Sequence, residues 1–179
     1  MTRTQPGWDG IVLAGAPGSG KRTTAFALTA LARRYARFPA LCSARVSALD
    51  IEYATDRHIA ELRSWAQIFH EVTRDGALHI HDSERLCRIR DEGRTPVVTV
   101  DAVGCLDAFA GGPRPWLTVL LHGRTDRPSA VLRRRTAREL ERLGRRCVLA
   151  VRTDLLSVGA VSQLIDRAVP VSYTHLRAH

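Results

Sequence analysis

Short apolar runs and amphipathic stretches alternate along the chain. Ile11-Val12-Leu13-Ala14 is uninterrupted apolar sequence, the pattern of a strand buried on both faces. Thr24 to Tyr35 places Phe26, Leu28 and Leu31 among alanines, which predicts a helix over 24–35. Phe38 to Val46 is irregular around Pro39, with room for a short strand. From Asp56, a residue suited to an N-cap, Ile59, Leu62, Trp65, Ala66, Phe69 and Val72 recur at helical spacing. They predict one helix that Gly76 ends.

Further on, Ala77 to His81 alternates as a short strand does. Asp82 or Ser83 caps a helix over Leu86 and Ile89, closed by Gly93. Pro96-Val97-Val98-Thr99-Val100-Asp101 is a β-branched run ending in a carboxylate, as in a buried parallel strand. A short helix around Leu106 to Phe109 leads to a strand over Trp116 to Leu121. A basic helix over about 128–143 stops at Gly144. Cys147 to Val151 reads as the last strand and Ser157 to Arg167 as the last helix.

One stretch organises the rest. Gly15-Ala16-Pro17-Gly18-Ser19-Gly20-Lys21-Arg22-Thr23 lies between the first strand and the first helix, the context a phosphate-binding loop requires. Glycines let successive backbone N–H groups face one concavity, and the helix N-terminus behind adds partial positive charge. The chain has 27 Lys plus Arg, and Lys21 is its one lysine. A compact ammonium fits a tight phosphate loop where a planar guanidinium does not. With this loop, alternating strands and helices give the fold class: a three-layer α/β P-loop NTPase fold. It predicts a parallel sheet of about five strands with helices on both faces. Ligands in such sheets sit at the carboxyl ends of strands, where Gly15 and Asp101 both fall.

The totals add limits. A chain of 179 residues suits one domain, taken as 1–171. The last eight residues, Ser172 to His179, look like a translated sequencing adaptor and are set apart as a non-native tail. No long apolar run and no signal-like N-terminus appear, so the expectation is a cytoplasmic protein without membrane contact. Cys42, Cys87, Cys105 and Cys147 are widely spaced and read as reduced, small core residues. A net charge of +9 raises nucleic acid as a partner, but aromatic content is 6% and none interleaves the arginine cluster 133–146. A stacking platform needs such aromatics, so the pattern argues against nucleic acid. Histidine spacing matches no zinc site.

The form Gly-x-Pro-Gly-x-Gly-Lys-x-Thr resembles nucleoside monophosphate kinases, and over most of residues 9–168 the chain is most similar to guanylate kinases. The resemblance implies ATP and Mg2+ as cofactors and a γ-phosphoryl transfer to a nucleoside monophosphate or similar small phosphorylated acceptor. It implies that Gly15 to Thr23 cradle the donor phosphates and that Lys21 neutralises them. Thr23 touches a phosphate and, with Asp101, stands near Mg2+ through water. Arg152-Thr153-Asp154 resembles the family turn near the adenine. On the acceptor side the implied contacts are Ser43, Arg45, His79, Ser83 and Asp101. Arg124, Arg134 and Arg135 stand where a lid clamps the transferring group.

Departures are equally specific. Arg22 replaces the usual hydroxyl after the lysine. The acceptor segment keeps one arginine, Arg45, and His79 occupies the place of a glutamate. A neutral imidazole cannot accept two guanine N–H bonds as a carboxylate does. The lid is short. Asp101 also reads as a simple helix N-cap, Arg45 as a solvated surface residue, and the lid arginines as a solvated helix face. Two other functions therefore stay open: a nucleotide- or protein-binding module without transfer, and a P-loop NTPase of another branch.

Overall fold

The computed structural model describes residues 8–45, 51–100, 103–110, 115–123, 138 and 141–169. Its centre is β1 (Ile11–Ala14), whose four residues are all buried. β1 pairs in parallel with β7 (Thr95–Val100) on one side and β8 (Leu117–His122) on the other. β2 (Tyr35–Arg37) and β9 (Leu149–Arg152) complete a five-stranded parallel sheet in the order β2-β7-β1-β8-β9.

Both faces of this sheet are covered, which explains the unbroken apolar runs. Ile11 and Leu13 point to a core shared with Leu28 of α1 (Lys21–Leu31) and Val161 and Ile165 of α6 (Val158–Ala168). Val12 and Ala14 face the opposite core. They meet Leu86 of α3 (Ser83–Asp91), Leu106 and Phe109 of α4 (Val103–Ala110), and Leu143 in the helical residues 141–146, α5. Alternation at period two along one strand thus feeds two cores.

A second, four-stranded sheet was not foreseen. Its order is β4-β3-β6-β5, built from β3 (Ala40–Cys42), β4 (Ile51–Tyr53), β5 (Ile68–Arg74) and β6 (Ala77–Asp82). β3 and β4 run parallel; β6 is antiparallel to both β3 and β5. α2 (Asp56–Ser64) packs on this sheet through Ile59 and Leu62, against Leu41 and Ile80.

Several boundaries differ from the sequence reading. The helix expected from 56 through Val72 ends at Ser64, and Phe69 and Val72 lie on β5. Asp75 (φ 50°) and Gly76 (φ 77°) form a two-residue hairpin turn, so Gly76 joins two strands instead of capping a helix. Both central residues at positive φ is the geometry that an Asp-Gly hairpin favours. The first helix begins at Lys21 and stops at Leu31, and Tyr35 opens β2. Gly144 stands within helical residues, so the basic helix runs on to Arg146. The strand expected from Cys147 begins at Leu149. Asp82 is the N-cap of α3, its carboxylate accepting from the Arg85 amide at 2.8 Å, and Ser83 is the first helical residue. Cys87, expected in the core, is exposed.

Candidate functional site

The glycine-rich turn leaves β1 at the carboxyl end of the central sheet. Gly15, Gly18 and Gly20 have φ of 154°, 80° and 87°, backbone that side chains rarely adopt. The turn tightens through Ser19 N–H donating to the Ala16 carbonyl at 3.1 Å, and Gly20 is the N-cap of α1. The Lys21 ammonium donates to the carbonyls of Gly15 and Ala16, each at 2.8 Å, so it lies across the turn. Ser19 Oγ is buried without a hydrogen-bond partner. Pro17, Gly18, Arg22 and Thr23 are exposed. The arrangement gathers amides at positive φ, a helix N-terminus, one ammonium and a spare hydroxyl. Chemically this is an anion receptor.

The last strand brings a further segment to the same place. A Cβ on Gly20 would lie 3.9 Å from Thr153 Cγ2, and one on Gly123 would lie 2.9 Å from Thr153 Oγ1. Thr153 N–H donates to the His122 carbonyl at 2.9 Å. Arg152 holds Asp154 in a two-point ion pair, Nε to Oδ1 at 3.1 Å and Nη2 to Oδ2 at 2.7 Å. That pair keeps the Asp154 carboxyl below its ordinary pKa. Arg152-Thr153-Asp154 therefore flanks the glycine-rich turn.

Between the two sheets lies a cavity of ≈ 80 Å³, lined among others by Phe38, Arg74, His79, His81, Thr99 and Cys105. Thr99 and Phe38 also line a small gap beside Arg22 and Phe26 of α1. His81 is 7% exposed. The rings of Phe38, Phe69 and Phe109 surround it with centroids at 5.4, 6.2 and 5.3 Å. Desolvation by this box pushes its pKa down to about 3, so the ring is neutral. His81 stacks on His70 across the hairpin with centroids 5.7 Å apart, and burial lowers the His70 pKa as well.

The expected acceptor residues are only partly brought together. His79 lines the cavity and sets Nε2 3.9 Å from Cys42 Sγ. Ser43 Oγ accepts from the Leu78 amide at 2.9 Å, tying β3 to β6. Ser83 Oγ donates to the Gln67 carbonyl at 3.1 Å. Arg45 is exposed and lies over the Tyr53 ring, 4.6 Å from its centroid. Asp101, Arg124, Arg134 and Arg135 lie outside the described residues. Sequence reasoning missed His70, Arg74, His81 and Cys105 as a group. The signal was the Asp75-Gly76 dipeptide: read as a hairpin, it sets His70 and Arg74 on one face of β5 and His70 opposite His81.

Among the described residues no three His, Cys, Asp or Glu side chains stand together as a metal site, and no helix is long and apolar enough to cross a membrane.

No family model matches the chain, and no curated protein matches it. Among solved structures it is similar to a guanylate kinase from Anaplasma phagocytophilum. The TM-score is 0.61 at 15% identity, covering 92% of this chain and 85% of that one. It is also similar to an unliganded sugar kinase from Janibacter sp. HTCC2649, with a TM-score of 0.43 at 20% identity over 88% of this chain and 90% of that one. The guanylate kinase likeness shows the fold alone: a five-stranded parallel sheet flanked by helices, of the P-loop kinase-like kind.

Proposed function

We propose that the chain is a P-loop phosphotransferase that binds ATP with Mg2+ and moves the γ-phosphoryl to a nucleoside monophosphate or similar small phosphorylated acceptor. The single observation that carries this is the turn at Gly15–Lys21, with its ammonium resting on the Gly15 and Ala16 carbonyls. Phosphate oxygens carry the negative charge that a carbonyl lacks, so a polyphosphate offers that ammonium stronger partners than a carbonyl does. The spare Ser19 hydroxyl and the α1 N-terminus face the same anion.

In this reading Gly15 to Thr23 hold the donor phosphates, and Lys21 stabilises charge as the β–γ bond loosens. Phosphoryl transfer asks the protein chiefly for positioning and charge stabilisation. Mg2+, when bound with the nucleotide, would supply positive charge against the transferring phosphates. We assign Thr23, exposed on the first turn of α1, and Asp101 beside it through water. Val100, the residue before Asp101, is in register with Ala14, the residue before Gly15. Arg152-Thr153-Asp154 would border the base. Acceptor contacts are assigned to Arg45 and to His79 with the cavity that His79 lines, and lid charge to Arg124, Arg134 and Arg135.

A second reading has its own observation. Ser43 and Ser83 are spent on backbone contacts, and His79 faces Cys42. A nucleotide-binding module without transfer would show the same acceptor side. A coupled assay with ATP, Mg2+ and each of AMP, GMP, CMP and UMP separates the two, run beside calorimetry of ATP binding. Turnover with one monophosphate supports transfer. Binding without turnover supports the module, and hydrolysis indifferent to every monophosphate supports an NTPase instead.

A further inference from the structure

A buried thiol sits in a donor-rich setting that phosphoryl transfer does not use. Cys105 lies in the first turn of α4, with Sγ 3.2 Å from His70 Nε2 and 3.6 Å from Arg74 Nη2. His70 and Arg74 stand four residues apart on β5, so one face of that strand presents both to the sulfur. The guanidinium is always charged, and the helix N-terminus adds partial positive charge. Both favour the thiolate, the form that reacts; burial opposes it. Burial lowers the pKa of His70 and of His81, so the positive charge beside the sulfur is that of Arg74.

An independent observation points to a ligand at the same place. His81 Nδ1 is buried with no hydrogen-bond partner, and His81 lines the same ≈ 80 Å³ cavity as Arg74 and Cys105. The space admits several water-sized molecules. An imidazole nitrogen left without a partner in a low-dielectric box is costly unless something small and polar visits it.

We propose that Cys105 is an oxidation site for small hydroperoxides that enter this cavity. The thiolate sulfur attacks one peroxide oxygen; the S–O bond forms as the O–O bond breaks. Hydroxide from hydrogen peroxide, or alkoxide from an organic hydroperoxide, leaves and takes up the proton that the thiol released, giving water or the alcohol. Sulfur loses two electrons, the peroxide gains them, and the product is a sulfenic acid. Its S–O–H group and His81 Nδ1 then share the cavity as donor and acceptor. The inference stands apart from the nucleotide reading and needs no bound ATP.

The other three cysteines are internal controls. Cys87 is exposed on α3, and Cys42 is fully buried. Burial pushes the Cys147 thiol up to about 11. The test treats the intact protein with hydrogen peroxide, traps sulfenic acid with dimedone, and reads each cysteine peptide by mass spectrometry. Cys105 is expected to label about tenfold faster than the exposed Cys87, because Arg74 favours its thiolate. Arg74→Gln slows Cys105 by a similar factor and leaves Cys87 alone, while Arg74→Lys keeps most of the rate. Equal or faster labelling of Cys87 in the unmodified protein overturns the proposal, whether or not the variants fold. So does an unchanged Cys105 rate in folded Arg74→Gln.

Discussion

The Cβ that Gly15 lacks would stand 2.3 Å from the backbone carbonyl oxygen of Leu121 on β8. Backbone cannot give way there without disturbing the parallel register between β1 and β8. With φ at 154°, the residue also occupies backbone that an alanine tolerates poorly. Gly15→Ala is expected to lose about 1–3 kcal/mol from strain alone. Urea unfolding measures it; a variant within about 0.5 kcal/mol of the parent, the range of an ordinary surface change, contradicts the close approach.

His81 makes stability depend on acid. Its folded pKa, about 3, lies below the ordinary value of 6.5. The unfolded chain therefore binds the extra proton first, and stability falls as pH drops from about 6.5 toward 3. At pH 5 the loss from this one ring is about 2 kcal/mol. His70, depressed in the same direction, adds to it. Denaturation at pH 7.5 and pH 5.0 should show the drop in the parent and a shallower one in His81→Phe. Equal slopes would mean that the ring is not boxed as described.

Tyr35 ties the edge of the central sheet to the last helix. Its hydroxyl donates to Asp166 Oδ1 at 2.7 Å, and Arg34 pairs with the same carboxylate oxygen. Burial, then the bond to Asp166, pushes the phenol up to about 12. Tyr35→Phe is expected to cost about 1.5–3 kcal/mol, the range for a hydrogen bond to a charged group. Since the folded phenol titrates above the unfolded value of 10, this contribution is intact below pH 10 and is lost as pH rises toward 12. Stability measured across pH 9 to 11 in parent and variant checks both the size and the direction.

The central sheet was legible because both of its faces are covered. Ile11 to Ala14 could be read as an unbroken apolar run and Pro96 to Val100 as a β-branched one, and the glycines of 15–20 have positive φ where a turn was expected. The second sheet was not legible from hydrophobic spacing alone. Ile59 and Leu62 do face a core from α2, but Phe69 and Val72 continue the helical spacing while lying on β5. Over so short a stretch, period 3.6 and period 2 share positions, and the Asp75-Gly76 turn decides between them. The acceptor side was hardest for another reason. Ser43 and Ser83 have residue types suited to a ligand, yet each hydroxyl is spent on a backbone group that only the folded sheet brings near.

The most direct test is calorimetric titration of ATP with Mg2+ into the parent and into Lys21→Met, each confirmed folded by its thermal midpoint. Loss of a charge-assisted contact to phosphate is worth about 1.5–3 kcal/mol, so Kd should rise by about ten- to more than a hundredfold. An unchanged Kd would show that the turn at Gly15–Lys21 is not where the polyphosphate sits.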